Sequence, residues 1–258
     1  MRRSLLLPLL LLALSACSQS GGDDAEADST TPPTLGSCRL LGPKDIVQST
    51  NSTPKVNCTD PHTAETFAVG RFPASVGDDL DDEKLGGYLY PRCQQKFERF
   101  LGGDESLVLR ATMTWAWFRP SDHAWDQGAR WWRCDVVGGG EQTRTFLKLP
   151  TTAKGVLLGR PDDRWMICVD GPSVSGAAKI PCSEKHTWRA VTTIVLGKPD
   201  EDYPGDHEVE VRTRDFCSDS VGAWLNYPVD YDYGYTWFHA GEWKAGNRRS
   251  ICWAQTDQ

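Results

Sequence analysis

The chain has 258 residues, of which 39% are hydrophobic and 24% charged, and a formal net charge of −7. That length suffices for one large domain or two small ones. The excess of acid excludes nucleic acid as a partner, because phosphate contacts reward clustered Lys and Arg.

At the N-terminus, Met1, Arg2 and Arg3 give a basic start, Leu5 to Leu14 an apolar run broken only by Pro8, and Ser15-Ala16 a small-residue exit. This is the pattern of a secretory signal, and its apolar run is far below the roughly 20 residues that a membrane-spanning helix needs. Leu14-Ser15-Ala16-Cys17 resembles the bacterial lipobox, whose cysteine is acylated and becomes the first residue of the mature protein. Residues 1–16 are therefore expected to be a lipoprotein signal peptide and Cys17 the lipidation site. Two or more acyl chains hold a protein stably at a membrane. Removing residues 1–16, which carry two arginines and no acid, takes the charge from −7 to −9. Residues 17–37 include Asp23, Asp24, Glu26 and Asp28, and Leu35 is their only large apolar residue. Such a stretch buries too little surface to offset its chain entropy, so a disordered acidic tether is expected. No later apolar run reaches membrane length, and the body is expected to be soluble.

Eight cysteines follow Cys17: Cys38, Cys58, Cys93, Cys134, Cys168, Cys182, Cys217 and Cys252. An even number in an exported chain reads as a disulfide framework. The spacing repeats: 35 residues separate Cys58 from Cys93, and 35 separate Cys182 from Cys217. His62-Thr63 and His186-Thr187 stand four residues after the first cysteine of each pair. Apolar residues then fall at +4, +7 and +8 from the second, as Phe97, Phe100, Leu101 and as Val221, Trp224, Leu225. Each half closes on Trp-x2-Gly-x-Arg-x3-Cys, from Trp125 to Cys134 and from Trp243 to Cys252.

In chain order, the +4, +7, +8 spacing predicts amphipathic helices over 90–101 and 214–226. Pro91 suits a first helical turn, and Gly102 and Gly103 a stop. Runs rich in β-branched and aromatic residues predict strands over 66–72, 106–118, 131–137, 165–169, 189–196, 234–238 and 250–253. The expected fold is α+β: two tandem disulfide-stapled repeats, 38–137 and 165–258, each a small antiparallel sheet packed against one helix. Residues 138–164, opening on Gly138-Gly139-Gly140, are expected to be a flexible connector. Sequence separation favours pairing Cys38 with Cys58, Cys93 with Cys134, Cys168 with Cys182 and Cys217 with Cys252. On a chain-entropy argument each bond would stabilise by about 3–4 kcal/mol.

Cys58-x3-His62 and Cys182-x3-His186 have the residue types of a zinc site, but zinc needs thiolates, and an exported chain keeps its cysteines oxidised. No metal and no cofactor are expected. There is no Gly-x-Ser-x-Gly, and no cysteine is left over as a nucleophile, so no catalytic residue is assigned. Asp122, Asp126, Asp230 and Asp232 keep one enzymatic alternative open, a cell-wall hydrolase working through two carboxylates between the repeats. Among 11 tryptophans and 7 tyrosines, the string Tyr227-Pro228-Val229-Asp230-Tyr231-Asp232-Tyr233 does not read as core. Tyr227, Asp230, Tyr231, Asp232 and Tyr233 are the candidate partner-binding residues.

Pro181-Cys182-Ser183-x2-His186, a helix cysteine, and the closing Trp-x2-Gly-x-Arg-x3-Cys resemble the septum-formation domain of bacterial membrane proteins and lipoproteins. Copy one has Asn57 where copy two has Pro181. The resemblance implies a role in division-septum or envelope processes and supplies no catalytic residue. The expected protein is a non-enzymatic, lipid-anchored binding protein on the extracytoplasmic face of the cell membrane. Its expected partner is an envelope protein or a cell-wall component.

Overall fold

The computed structural model describes residues 26–140 and 143–256. The expected signal peptide and Cys17 lie outside the described residues.

The first unit forms β1 (Cys38–Arg39), β2 (Lys55–Val56), β3 (Ala64–Arg71), α1 (Asp82–Leu101), α2 (Glu105–Leu109), β4 (Thr114–Phe118), α3 (Asp122–Asp126) and β5 (Trp131–Val137). The second forms β6 (Ile167–Val169), β7 (Ile180–Pro181), β8 (Trp188–Val195), α4 (Asp206–Trp224), β9 (Tyr233–Thr236), α5 (Ala240–Ala245) and β10 (Arg249–Gln255). Each unit has one five-stranded sheet with every neighbouring pair antiparallel, in the orders β2-β1-β3-β5-β4 and β7-β6-β8-β10-β9. The two orders correspond strand for strand. Even the irregularities match. The β3–β5 ladder skips Phe67 beside Cys134, and the β8–β10 ladder skips Val191 beside Cys252. A skipped residue of this kind bends and twists its strand locally.

All eight described cysteines are bonded, as Cys38–Cys58, Cys93–Cys134, Cys168–Cys182 and Cys217–Cys252. The second and fourth bonds tie α1 to β5 and α4 to β10. Leu85, Leu89, Cys93, Phe97 and Leu101 recur along α1 at helical spacing and are buried. They share one apolar cluster with Phe67 and Phe72 of the β3 region and Trp132, Cys134 and Val136 of β5. In the second unit Cys217 and Val221 of α4 join Val191, Cys252 and Ala254.

The closing motif has a structural cause. Arg130 lies over the Trp125 ring at 4.1 Å and donates to the Trp125 carbonyl at 2.7 Å. Arg248 repeats this on Trp243 at 3.5 and 2.6 Å. The chain can turn back between Trp and Arg because Gly128 and Gly246 take φ of 91° and 108°, a conformation costly for residues with a Cβ.

Both helices start about eight residues earlier than their spacing implies, at Asp82 and Asp206. Pro91 thus lies inside α1 rather than in its first turn. The strand expected over 106–118 is instead α2 followed by β4. Asp104 accepts a hydrogen bond from the Leu107 amide at 2.7 Å and caps the short helix.

Two expectations are corrected. The stretch read as a disordered tether is docked from Glu26 onward, because Glu26 supplies the counter-charge for two buried arginines. It pairs with Arg39 at 2.5 Å, with Lys55 at 2.8 Å, and with Arg133. Ala27 is buried, Ser121 donates its amide to the Ala27 carbonyl, and Trp131 Nε1 donates to the Ser29 carbonyl at 2.7 Å. The segment read as a flexible connector is likewise fixed. Leu149, Ala153 and Leu157 belong to the first unit's apolar cluster. The amides of Leu149 and Leu157 donate to the carbonyls of His62 and Leu101, both at 2.9 Å.

The units also share contacts. Leu109 of α2 packs against the second unit's cluster of Ile167, Val169, Trp188 and Trp253. Trp165 packs in the first. Ala111 bridges Met166 in antiparallel fashion, and Arg110 donates to the Val191 carbonyl at 2.9 Å. Glu105 pairs with Arg249 at 2.5 Å. Among the described residues no helix is long and apolar enough to cross a membrane.

Candidate functional site

These contacts leave a cleft of about 1190 Å³ between the units. One wall is β4 with Tyr90 and Gln94 of α1. The facing wall is the segment 177–181 that leads into β7, together with Glu242 and Asn247 at α5. Thr143, Arg144 and Thr145 also line the cleft. Its volume slightly exceeds that of common small-ligand pockets, roughly 300–1000 Å³.

The aromatic residues of the first wall are held by their neighbours. The Tyr90 and Trp115 rings lie 5.5 Å apart, and Trp115 Nε1 donates to Gln94 Oε1 at 2.9 Å. The Trp117 ring rests on Gly86, where a Cβ would come within 3.4 Å. Tyr90 also reaches across to Gly246 of the second unit. Burial, followed by the nearby Glu105, pushes the Tyr90 hydroxyl up to about 12. Opposite stands Lys179, half-buried, with no hydrogen-bond or ion-pair partner among the described residues. Burial lowers its ammonium below the usual lysine range, and Glu242 opposes that shift.

The acids of the cleft are Asp170, Glu184 and Glu242. Asp122, Asp126, Asp230 and Asp232, the acids singled out from sequence, do not line it. Asp122 pairs with Arg119 at 2.9 Å. Glu98 sits behind the α1 wall and accepts a hydrogen bond from Gln94 at 2.9 Å. Burial, with help from Glu105 and Asp104, raises its carboxyl.

The expected partner-binding string splits in two. Tyr227 and Val229 are 66% and 98% exposed, and Asp230 and Asp232 are exposed as well. Tyr231 and Tyr233 are half-buried. Tyr231 lies against Gly222 of α4, and its hydroxyl donates to the Ser218 carbonyl at 2.7 Å. The two begin a row continued by Tyr235, Trp237 and His239, with successive ring centroids 5.6–6.4 Å apart. A hollow of about 500 Å³ beside the row is lined by Asp230, Tyr231 and Asp232.

His62 and His186 occupy equivalent places. Each is buried, and each donates from Nδ1 to the carbonyl two residues before it, at 2.9 Å to Asp60 and 2.7 Å to Glu184. Cys168, Cys182 and His186 cluster closely enough to hold a metal ion, but both sulfurs belong to one disulfide. Thiolate ligation is closed to them in this state. The cleft and Lys179 were missed by sequence reasoning. The only signal for them was an apolar strand written over both of its faces, Trp115-Ala116-Trp117.

A family model described as septum formation matches residues 109–252, from the end of α2 to β10. The match spans part of the first unit and almost all of the second. No curated protein and no solved structure matches the chain.

Proposed function

The chain belongs to the septum-formation family, and we propose that it serves that process as a lipid-anchored, extracytoplasmic binding protein without catalysis of its own. In this reading residues 1–16 direct export and Cys17 carries the lipid. The two units are tandem copies of one design, each sheet backed by its long helix. The observation that carries the reading is the pairing of all eight described cysteines in a fold that still keeps an open cleft. Oxidised pairs suit a compartment outside the cytoplasm. A cleft lined mainly by aromatic, aliphatic and hydroxyl-bearing side chains, its charges balanced between Asp170, Glu184 and Glu242 and Arg144, Lys179 and Lys185, suits binding.

The test is made in cells. The chain is depleted, then restored with Cys17 intact or as Cys17→Ser. Depletion is expected to delay septation, the intact chain to restore it from the membrane fraction, and Cys17→Ser to leave the chain unanchored. Normal septa after depletion, or a Cys17→Ser chain that remains lipid-bound, would overturn the reading.

A further inference from the structure

The cleft borders four consecutive residues of β4: Thr114, Trp115, Ala116 and Trp117. Successive side chains of a strand point to opposite faces, so a hollow lying on one face would touch alternate residues only. Contact with four in a row places the hollow along the strand's edge. β4 is the terminal strand of its sheet, with β5 on one side and no strand on the other among the described residues.

The register tells which main-chain groups look outward. Arg119 donates its amide away from β5, to the Ser49 carbonyl at 2.8 Å, and the Trp115 amide turns back to Thr114 Oγ1 at 2.6 Å. By the two-residue alternation of an antiparallel ladder, Trp117 also faces outward. Its N–H and C=O, and the Trp115 C=O, meet no partner among the described residues. An unpaired apolar edge is a liability that folded proteins ordinarily cover or blunt. The facing edge is blunted, since β7 ends in Pro181, which has no N–H to offer.

We infer that an extended peptide segment bearing an acidic side chain adds to the open edge of β4 as a sixth strand, its carboxylate meeting Lys179 across the cleft. This rests on the binding role proposed above and names the chemistry of the partner. Main-chain hydrogen bonds supply affinity in such an addition, and alternate side-chain pockets supply selectivity. An acidic group answers Lys179, half-buried in the cleft wall and without a hydrogen-bond or ion-pair partner among the described residues. A glycan is the less suitable occupant. Stacking on sugar rings needs a bare aromatic face, whereas Trp115 is tied to Gln94 beside Tyr90 and Trp117 lies on Gly86.

For the test, random heptapeptides displayed on phage are selected on the oxidised full chain, and the enriched peptides are resynthesised. The enriched peptides are expected to contain Asp or Glu and to lack proline. Methylating their backbone nitrogens one at a time should abolish binding at every second position only. Lys179→Met should weaken binding about tenfold, the worth of one charge-assisted hydrogen bond, with no change in melting temperature. No enriched peptide, a methylation scan without two-residue alternation, unchanged affinity in Lys179→Met, or soluble glycan strands displacing the peptides would overturn the inference. The scan on the unaltered chain stays decisive even if the variant misfolds. Failure here with septation still dependent on the anchored chain sinks the strand addition alone. Failure in cells sinks the septal role.

Discussion

The guanidinium of Arg39 is fully buried and donates to the Glu26 carboxylate at 2.5 Å, across thirteen residues of chain. Arg133, also fully buried, shares that carboxylate and pairs with Asp135 at 3.0 Å. The segment that leads from the expected anchor is thereby part of the fold. Burial alone would raise the Glu26 carboxyl, but Lys55, Arg133 and Arg39 outweigh it and hold it below 4.5, the ordinary glutamate value. A lowered folded value means that the stabilisation is complete above the unfolded value and is lost as pH falls through the folded one. Glu26→Gln should therefore cost about 2–4 kcal/mol near neutral pH, since it leaves buried arginines short of a counter-charge. The difference from the parent chain should shrink progressively as pH falls below 4.5. Urea unfolding followed from neutral to acid pH checks it; a constant difference would contradict it.

Removing disulfides should show a graded loss. The Cys93–Cys134 bond closes 41 residues and the Cys168–Cys182 bond 14. On the chain-entropy account the first stabilises by about 1 kcal/mol more than the second. Alanine pairs at each position, compared by denaturant midpoint, should rank in that order.

The two units should melt as one. Leu109 belongs to the second unit's core and Trp165 to the first's, so neither unit can open without exposing apolar surface of the other. The half-exposed Glu105–Arg249 pair should add less than about 1 kcal/mol to this coupling, because water screens it. Calorimetry should give a single transition with calorimetric and van't Hoff enthalpies equal. Two separated transitions would show that the shared contacts do not bind the units together.

Within the tyrosine string, stability should separate packing from surface. Tyr231→Ser should destabilise by about 2–4 kcal/mol, since it empties the space beside Gly222 and frees the Ser218 carbonyl. Tyr227→Ser should change stability by less than about 0.5 kcal/mol. Equal losses would mean that Tyr227 also packs.

Much of the scaffold was legible in the sequence, because disulfide spacing and helix faces are local patterns. The 35-residue cysteine interval and the +4, +7, +8 spacing point to the buried faces of α1 and α4, and 131–137 is the observed β5. What failed depended on tertiary partners. Gly86, Gly87 and Pro91 mask the first half of α1, although Gly86 is where the Trp117 ring lies. Glu26 reads as one more solvated acid until two arginines are buried beneath it. Ser106 to Leu109 is apolar enough for a strand, and only the Asp104 cap signals a helix. The cleft was invisible because it is made by two segments far apart in sequence meeting at their edges. The septal family, by contrast, was readable from the cysteine, histidine and tryptophan motifs themselves.

The chain is proposed to act by binding and not by chemistry. The most direct measurement is rescue of septation in depleted cells by a chain carrying Asp170→Asn, Glu184→Gln and Glu242→Gln together. These changes remove the cleft's carboxylates, and Gln keeps the capping geometry at the start of α5. Rescue equal to that of the unaltered chain is predicted. Loss of rescue by a variant that is still folded and anchored would contradict the account, because carboxylate chemistry in the cleft would then be required.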